Sequence, residues 1–358
     1  MPDKNWQFEL EEYIRQGEPE RAEKSEAWQT AIGLQAVDGL KTSDYLLDTA
    51  KEHIEGKIDI STVQKRVKSY YEQRENRQAI EDGTEEADKV ASKITEILNE
   101  KTFQFSPAEL KTIHRRLFSD VFKHAGEIRD YNITKKEWIL NGETVLYASY
   151  DSINDTLDYD FRIEKEFSYD GLSATEAVKH ITKFAAGIWQ IHPFCEGNTR
   201  TTAVFIIKYL KTFGFNISND VFANNSWFFR NALVRANYND VSRGITATTE
   251  YLEQFFENLL FGASHDLKNR YTHIDYIDEF QSANYDNSKC QNGTLKCTLE
   301  EMAIIKVIKE NPKVTQKELA EKTNCSPRTI KRRTVEMQEK GLIKRENGKR
   351  NGRWIVNS

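Results

Sequence analysis

The chain has 358 residues, 38% of them hydrophobic and 11% aromatic, which is enough for a real core and excludes wholesale disorder. Charged residues make up 30%, and apolar runs such as Ala203-Val204-Phe205-Ile206-Ile207 fall far short of the roughly 20 residues that span a bilayer. Met1 to Asn5 open onto acidic helix-like sequence with no apolar leader, and Cys195, Cys290, Cys297 and Cys325 complete no zinc pattern, so a cytoplasmic protein with reduced thiols is expected.

Only 17 glycines and 6 prolines punctuate this length, which favours long helices and a mainly α fold. Trp28 to Val37 spaces apolar residues near the helical period, and Gly39 is a stop. A short helix over Thr42–Glu55 follows, with Ser43 as cap and Gly56 as terminator. Residues 60–100 read as one or two helices, the second presenting Val90, Ile94, Ile97 and Leu98 on one face. Ser106-Pro107-Ala108-Glu109 opens another through an N-cap and a first-turn proline. Between Tyr131 and Tyr147 the period changes. Two runs of β-formers flank Asn141-Gly142, predicting a β-hairpin isolated in a helical body. Helical pattern resumes near Ala174 and breaks at His192-Pro193; further helices are expected over Thr201–Phe213, Trp227–Tyr238 and Thr246–Leu260.

The segment Ile191-His192-Pro193-Phe194-Cys195-Glu196-Gly197-Asn198-Thr199-Arg200 joins two of these helices. A turn at a helix N-terminus aims N–H groups and a positive dipole end at anions. Arg200 adds a guanidinium fork for phosphate, Glu196 a hard oxygen ligand for Mg²⁺, and His192 a base for a hydroxyl proton. Together they point to phosphate chemistry.

This run resembles the Fic (filamentation) family signature H-P-F-x-D/E-G-N-G-R-x-x-R, and the resemblance extends over roughly 100–260 through His114–Phe118, Ala125–Arg129 and the hairpin. It implies a Fic helical bundle with a β-hairpin flap and Mg²⁺-dependent transfer of AMP from ATP to a protein hydroxyl. His192 would be the base, and Phe194 would pin the loop. Glu196 would hold Mg²⁺, Gly197, Asn198 and Thr199 would line the phosphates, and Arg200 would bind the β-phosphate. Ile133, Thr134, Lys135 and Lys136 would form the flap edge that docks an extended target. Two positions depart from the signature: Thr199 replaces its second Gly, disfavouring a positive φ there, and Ala203 replaces its last Arg.

The family's inhibitory helix reads S/T-x-x-x-E-G/N, which Leu34-Gln35-Ala36-Val37-Asp38-Gly39 matches loosely, with Tyr71-Glu72-Gln73-Arg74-Glu75-Asn76 as a rival. The resemblance makes Asp38 the inhibitory carboxylate. With Ala203 where its partner Arg would stand, Asp38 is expected to have nothing to hold, and this regulation to be weakened or replaced.

From Thr298 to Ser358 Lys and Arg number 15 against 8 Asp and Glu, a local +7 in a chain of net charge −5, leaving −12 for the rest. Three helical stretches and a closing hairpin resemble a winged helix-turn-helix. Arg328, Lys331, Arg332 and Arg333 on its second helix, with Lys349 and Arg350 on the wing, are the expected DNA contacts. The domains expected are an N-terminal helical segment (1–99), a Fic catalytic domain (100–262), an extension and linker (263–297) and a winged-helix domain (298–358). A protein adenylyltransferase with a DNA-binding tail is the first expectation. A nucleotide-sensing DNA-binding regulator and a phosphotransferase are the alternatives. A target protein, DNA and, as an option, a second copy of the chain are the partners, with no membrane.

Overall fold

Capping side chains set most helix starts. The computed structural model describes residues 10–13, 18–73, 84–215, 220–276, 298–346 and 352–357. Helix α1 (Pro19–Gly33) runs into a 3₁₀ turn, Leu34–Asp38, that Gly39 ends in the left-handed region. Helix α2 (Asp44–Ile54) starts where Ser43 accepts from the Leu46 N–H, and α3 (Ile60–Glu72) where Asp59 accepts from the Thr62 N–H. Helices α4 (Thr84–Asn99) and α5 (Pro107–Phe118) follow, the latter capped by Ser106. Arg74, Glu75 and Asn76 of the rival inhibitory stretch lie outside the described residues.

The centre is built from α6 (Ile153–Glu166), α7 (Ala174–Ile191), α8 (Asn198–Thr212), α9 (Asp220–Ala236) and α10 (Glu250–Phe261). Helix α8 is buried along nearly its whole length, from Asn198 to Leu210, and packs on α5, α7 and α4. Helix α1 lies on α4 and α9. Gly33 allows this close approach, since a Cβ there would come within 2.3 Å of the Ala223 Cα. Sequence pattern places these helices well, with two exceptions. Helix α9 begins at Asp220, ahead of the expected Trp227, across a kink at Asn225, and α6 was not foreseen.

The hairpin is a correction. Residues 132–137 and 143–149 form no strands. The reversal is a 3₁₀ turn, Trp138–Leu140, closed by Asn141 and Gly142 at positive φ, with Glu137 and Glu143 sharing one main-chain bond of 2.9 Å. Further down, the Thr144 hydroxyl takes the Lys135 N–H where a ladder would use a carbonyl. Ile139 and Leu140 are buried in succession, which breaks the alternation a strand needs. The flap is braced from outside by the 263–276 extension, where the Ile274 N–H donates to the Ile139 carbonyl (2.9 Å) and Asn141 to Asp275 (2.7 Å).

The tail comprises α11 (Leu299–Glu310), α12 (Gln316–Lys322), α13 (Pro327–Glu339) and an antiparallel pair, β1 (Ile343–Glu346) with β2 (Arg353–Val356), in register Ile343 to Val356. Capping boxes at Thr298 and Thr315 start α11 and α12, and Asn324 at positive φ makes the turn before α13. Among the described residues no helix is long and apolar enough to cross a membrane.

Candidate active site

The loop from His192 to Arg200 is held from every side. His192 ends α7 in the left-handed region (φ 49°), an unusual place for a residue with a Cβ. Arg129, itself buried, pins it there: Nε donates to the His192 carbonyl (2.8 Å) and an Nη to that of Ile191 (3.3 Å). The Arg129 N–H also donates to the Pro193 carbonyl at 2.9 Å. Its remaining donors reach Tyr131 O (2.7 Å) and Ala148 O (2.5 Å), so one guanidinium ties the loop to both arms of the flap.

Phe194 is buried and stacks on His114 with ring centroids 3.7 Å apart. Asn198 spends its side chain on Phe194, accepting the main-chain N–H (3.0 Å) and donating to the carbonyl (2.7 Å), which fixes the turn. Gly197 has φ 73°, and a Cβ there would meet the Phe118 ring at 2.4 Å, so both conformation and space require glycine. Thr199 lies in the first turn of α8, needs no positive φ, and accepts the Trp189 indole N–H at 3.0 Å. The side chain that departs from the family signature is thus a tie between α7 and α8.

His114 accepts the Gly126 N–H at Nδ1 (2.8 Å), so its Nε2 carries the proton donated to the Glu196 carbonyl (3.0 Å). Burial pulls His114 down to about 4. The native state keeps it neutral while the unfolded chain takes up a proton below about 6.5, so this contribution to stability is present above that pH and is lost as pH falls toward 4. We expect urea unfolding to report a loss of about 2 kcal/mol from His114 between pH 7 and pH 5. His53, which accepts the buried Trp28 indole N–H and is likewise lowered to about 4, acts in the same direction. A stability flat over that range would refute the neutral assignment.

His192 is 2% exposed, and burial, with Lys135, Arg129 and Arg230 nearby, holds it well below the ordinary histidine range. Its Nδ1 faces the Trp189 carbonyl at 3.2 Å and therefore carries the proton, leaving Nε2 as the acceptor. That Nε2 has no hydrogen-bond partner among the described residues. Glu196 points outward, its side chain 59% exposed, with Lys135 Nζ at 3.6 Å. Among the described residues no three His, Cys, Asp or Glu side chains gather as a metal cage. One exposed carboxylate at this loop fits the way Mg²⁺ is held, by few protein ligands with substrate oxygens and water.

Arg200 overturns the expectation for Asp38. The guanidinium is 2% exposed and has Asp38 Oδ2 2.7 Å from Nε, Gln35 Oε1 3.0 Å from one Nη and Glu86 Oε1 2.6 Å from the other. The Asp38 contact is an ion pair whose Nε–H is not aligned on the oxygen. The Phe118 ring backs the guanidinium at 4.8 Å. Asp38 therefore has a partner, one turn ahead of buried Ala203, because the 3₁₀ turn after α1 meets the N-terminal end of α8. Three acceptors from two N-terminal segments occupy the group expected to bind phosphate. Glu86, on α4, was missed; nothing around it in sequence marks it.

The flap residues alternate as an edge should, Thr134 and Lys136 exposed and Ile133 and Lys135 half-buried. In the tail Arg328, Lys331 and Arg332 share the exposed face of α13. Arg333 does not join them: it is half-buried and bound to Glu300 of α11 (2.5 Å) and Glu336 (3.3 Å), because its helical position faces the domain's own core. Lys349 and Arg350 lie outside the described residues.

Comparison with known proteins adds to this geometry. Residues 104–210 match the Fic/DOC family and residues 301–344 the winged helix-turn-helix DNA-binding family. Over 117 residues the chain is 29% identical to the protein adenylyltransferase VbhT of Bartonella schoenbuchensis. That match covers 33% of this chain and spans about a quarter (23%) of the relative's length. The N-terminal FIC domain of Bep8, a VirB-translocated effector of Bartonella sp. 1-1C, aligns with TM-score 0.38 and 22% identity, over 48% of this chain and 81% of that one. A Fic family protein from Desulfovibrio desulfuricans G20 aligns with TM-score 0.45 and 12% identity, over 99% of this chain and 95% of that one. A mainly helical chain thus carries a Fic/DOC domain at residues 104–210 and a winged helix-turn-helix at residues 301–344.

Proposed function

We propose that this chain is a Fic-type nucleotidyltransferase that moves AMP from ATP to a hydroxyl side chain of a target protein, itself included, and that its tail binds DNA. The observation that carries the reading is the pairing of a neutral His192, its Nε2 unprotonated, with a turn at the N-terminus of α8. In the proposed step the acceptor oxygen attacks the α-phosphorus, the bond from that phosphorus to the β-bridging oxygen breaks, pyrophosphate leaves, and the acceptor proton passes to His192 Nε2. Glu196 would hold Mg²⁺ with the phosphates, and the ion would supply neutralisation of their charge. Arg200, once free, would bind the β-phosphate. The edge at Ile133, Thr134, Lys135 and Lys136 would pair with an extended target and set the hydroxyl in line, chiefly a proximity effect.

One observation favours a second reading. With Arg200 clamped and His192 buried, this conformation is shut at both ends of the loop. Asp38 is proposed as an inhibitory carboxylate acting on Arg200, and a chain that stayed shut would be a nucleotide-sensing DNA regulator. Incubation with α-labelled and γ-labelled ATP separates the readings. Label from α alone means AMP transfer, label from γ alone a phosphotransferase, and bound ATP with neither supports the sensor.

For the tail, Lys331→Ala and Arg332→Ala in the full chain are expected each to reduce the slope of log affinity against log salt by about 0.9. Arg333→Ala is expected to destabilise the domain through Glu300 instead. Filter binding to duplex at several salt concentrations checks both; a slope unchanged in the first two removes this face of α13 from DNA binding.

A further inference from the structure

Under the flap lie two buried polar atoms with no hydrogen-bond partner among the described residues, His192 Nε2 and the Tyr147 hydroxyl. Their rings are in contact, with centroids 4.3 Å apart at 43°, and Trp189 flanks both. Native proteins rarely leave such groups unpaired, because each costs its desolvation unanswered. The two are complementary. His192 Nε2 is an acceptor, its Nδ1 proton facing the Trp189 carbonyl. Tyr147 is a donor, since burial and the negative charge of Glu137 raise its hydroxyl above the usual phenol range, with the Arg230 charge opposing. A hydroxyl group can answer both, giving one proton and offering lone pairs.

We infer that Tyr147 is a contact residue for the acceptor hydroxyl, its O–H donating to the acceptor oxygen while His192 Nε2 takes the acceptor proton. This rests on the transfer reading above. It gives the end of the flap a second task beside docking. One arm of the flap would hold the target's main chain, and the other supplies the side chain that orients its nucleophile.

Tyr147→Phe tests the assignment, because it keeps the ring over His192 and removes only an unpaired hydroxyl. The probe is auto-modification of the full chain by α-labelled ATP, run in the native sequence and with Asp38→Asn and Glu86→Gln present so that the Arg200 clamp does not limit the rate. We expect the initial rate at saturating ATP to fall about tenfold, as for one lost hydrogen bond. ATP affinity should be unchanged, and the melting temperature equal or higher. A rate within twofold of the parent in both backgrounds overturns the assignment and leaves the transfer reading standing. A lower melting temperature with an unchanged rate overturns it too, making the hydroxyl structural. Parents that bind ATP but never incorporate label in either background overturn the transfer reading, and this inference with it.

Discussion

Replacing both carboxylates on Arg200, by Asp38→Asn with Glu86→Gln, is expected to tighten ATP binding on the order of 10²-fold and to raise auto-modification in step. Each pairing is a hydrogen bond or ion pair to a charged group, worth about 1.5 kcal/mol at the lower end of such contacts. The lower end applies because the side chains of Asp38 and Glu86 remain 33% and 25% exposed. About 1.4 kcal/mol corresponds to tenfold, so the two together reach that order, provided the clamped form dominates in the native chain. The single variants should each give about tenfold, and Gln35 retains its own bond to Arg200 in all of them. Titration calorimetry with ATP and Mg²⁺, beside initial rates, measures both effects. Unchanged affinity in the double variant would show that Arg200 does not meet the nucleotide.

His192→Ala is expected to abolish transfer, by about 10²–10⁴ in rate for a lost general base, while leaving ATP affinity within a few-fold. The split matters because the imidazole packs on the Tyr147 ring and makes its hydrogen bond to the Trp189 carbonyl, not to the main chain of the α8 turn. Truncation also removes a residue held at φ 49°, a conformation alanine tolerates no better, so a melting curve belongs beside the assay. Full activity in a folded variant would remove His192 from its role.

What the sequence disclosed and what it hid have physical reasons. Caps are local, so Ser43, Ser106 and Thr315 announced their helices before any contact was known. Helix α6 escaped because its buried Ile153, Leu157 and Phe161 are diluted by Asp155, Asp158 and Asp160. Its buried Glu164 makes sense only through Tyr169, Tyr209 and His180, supplied from elsewhere in the chain. The flap reads as strands because Asn141-Gly142 does reverse the chain, but no ladder joins its arms, which Arg129 and Arg230 hold alongside the bonds of Glu137 to Glu143 and Lys135 to Thr144. The loop at His192 was legible since its parts fall within nine residues. Its clamp was not, since Gln35 and Glu86 lie 165 and 114 positions from Arg200. The expectation for Asp38 failed for a related reason. Matching it to Ala203 treated a motif position as a place in space, whereas the turn carrying Asp38 reaches the guanidinium one turn nearer the start of the helix.

Helices α4 and α8 run side by side in the same direction, fastened at both ends in different ways. At their starts the fastening is Arg200 with Glu86. Toward their ends, Lys208 donates to the carbonyls of Ile97 and Glu100, and Lys211 to that of Leu98. Those carbonyls belong to the main chain at the closing turn of α4, where lysine ammonium groups satisfy acceptors the helix itself leaves over. A phosphate at the loop can compete for the Arg200 guanidinium; Lys208 is buried at the opposite end of the helix, out of its reach. A nucleotide that took Arg200 from Glu86 would therefore loosen one end of the pair and leave the other fastened.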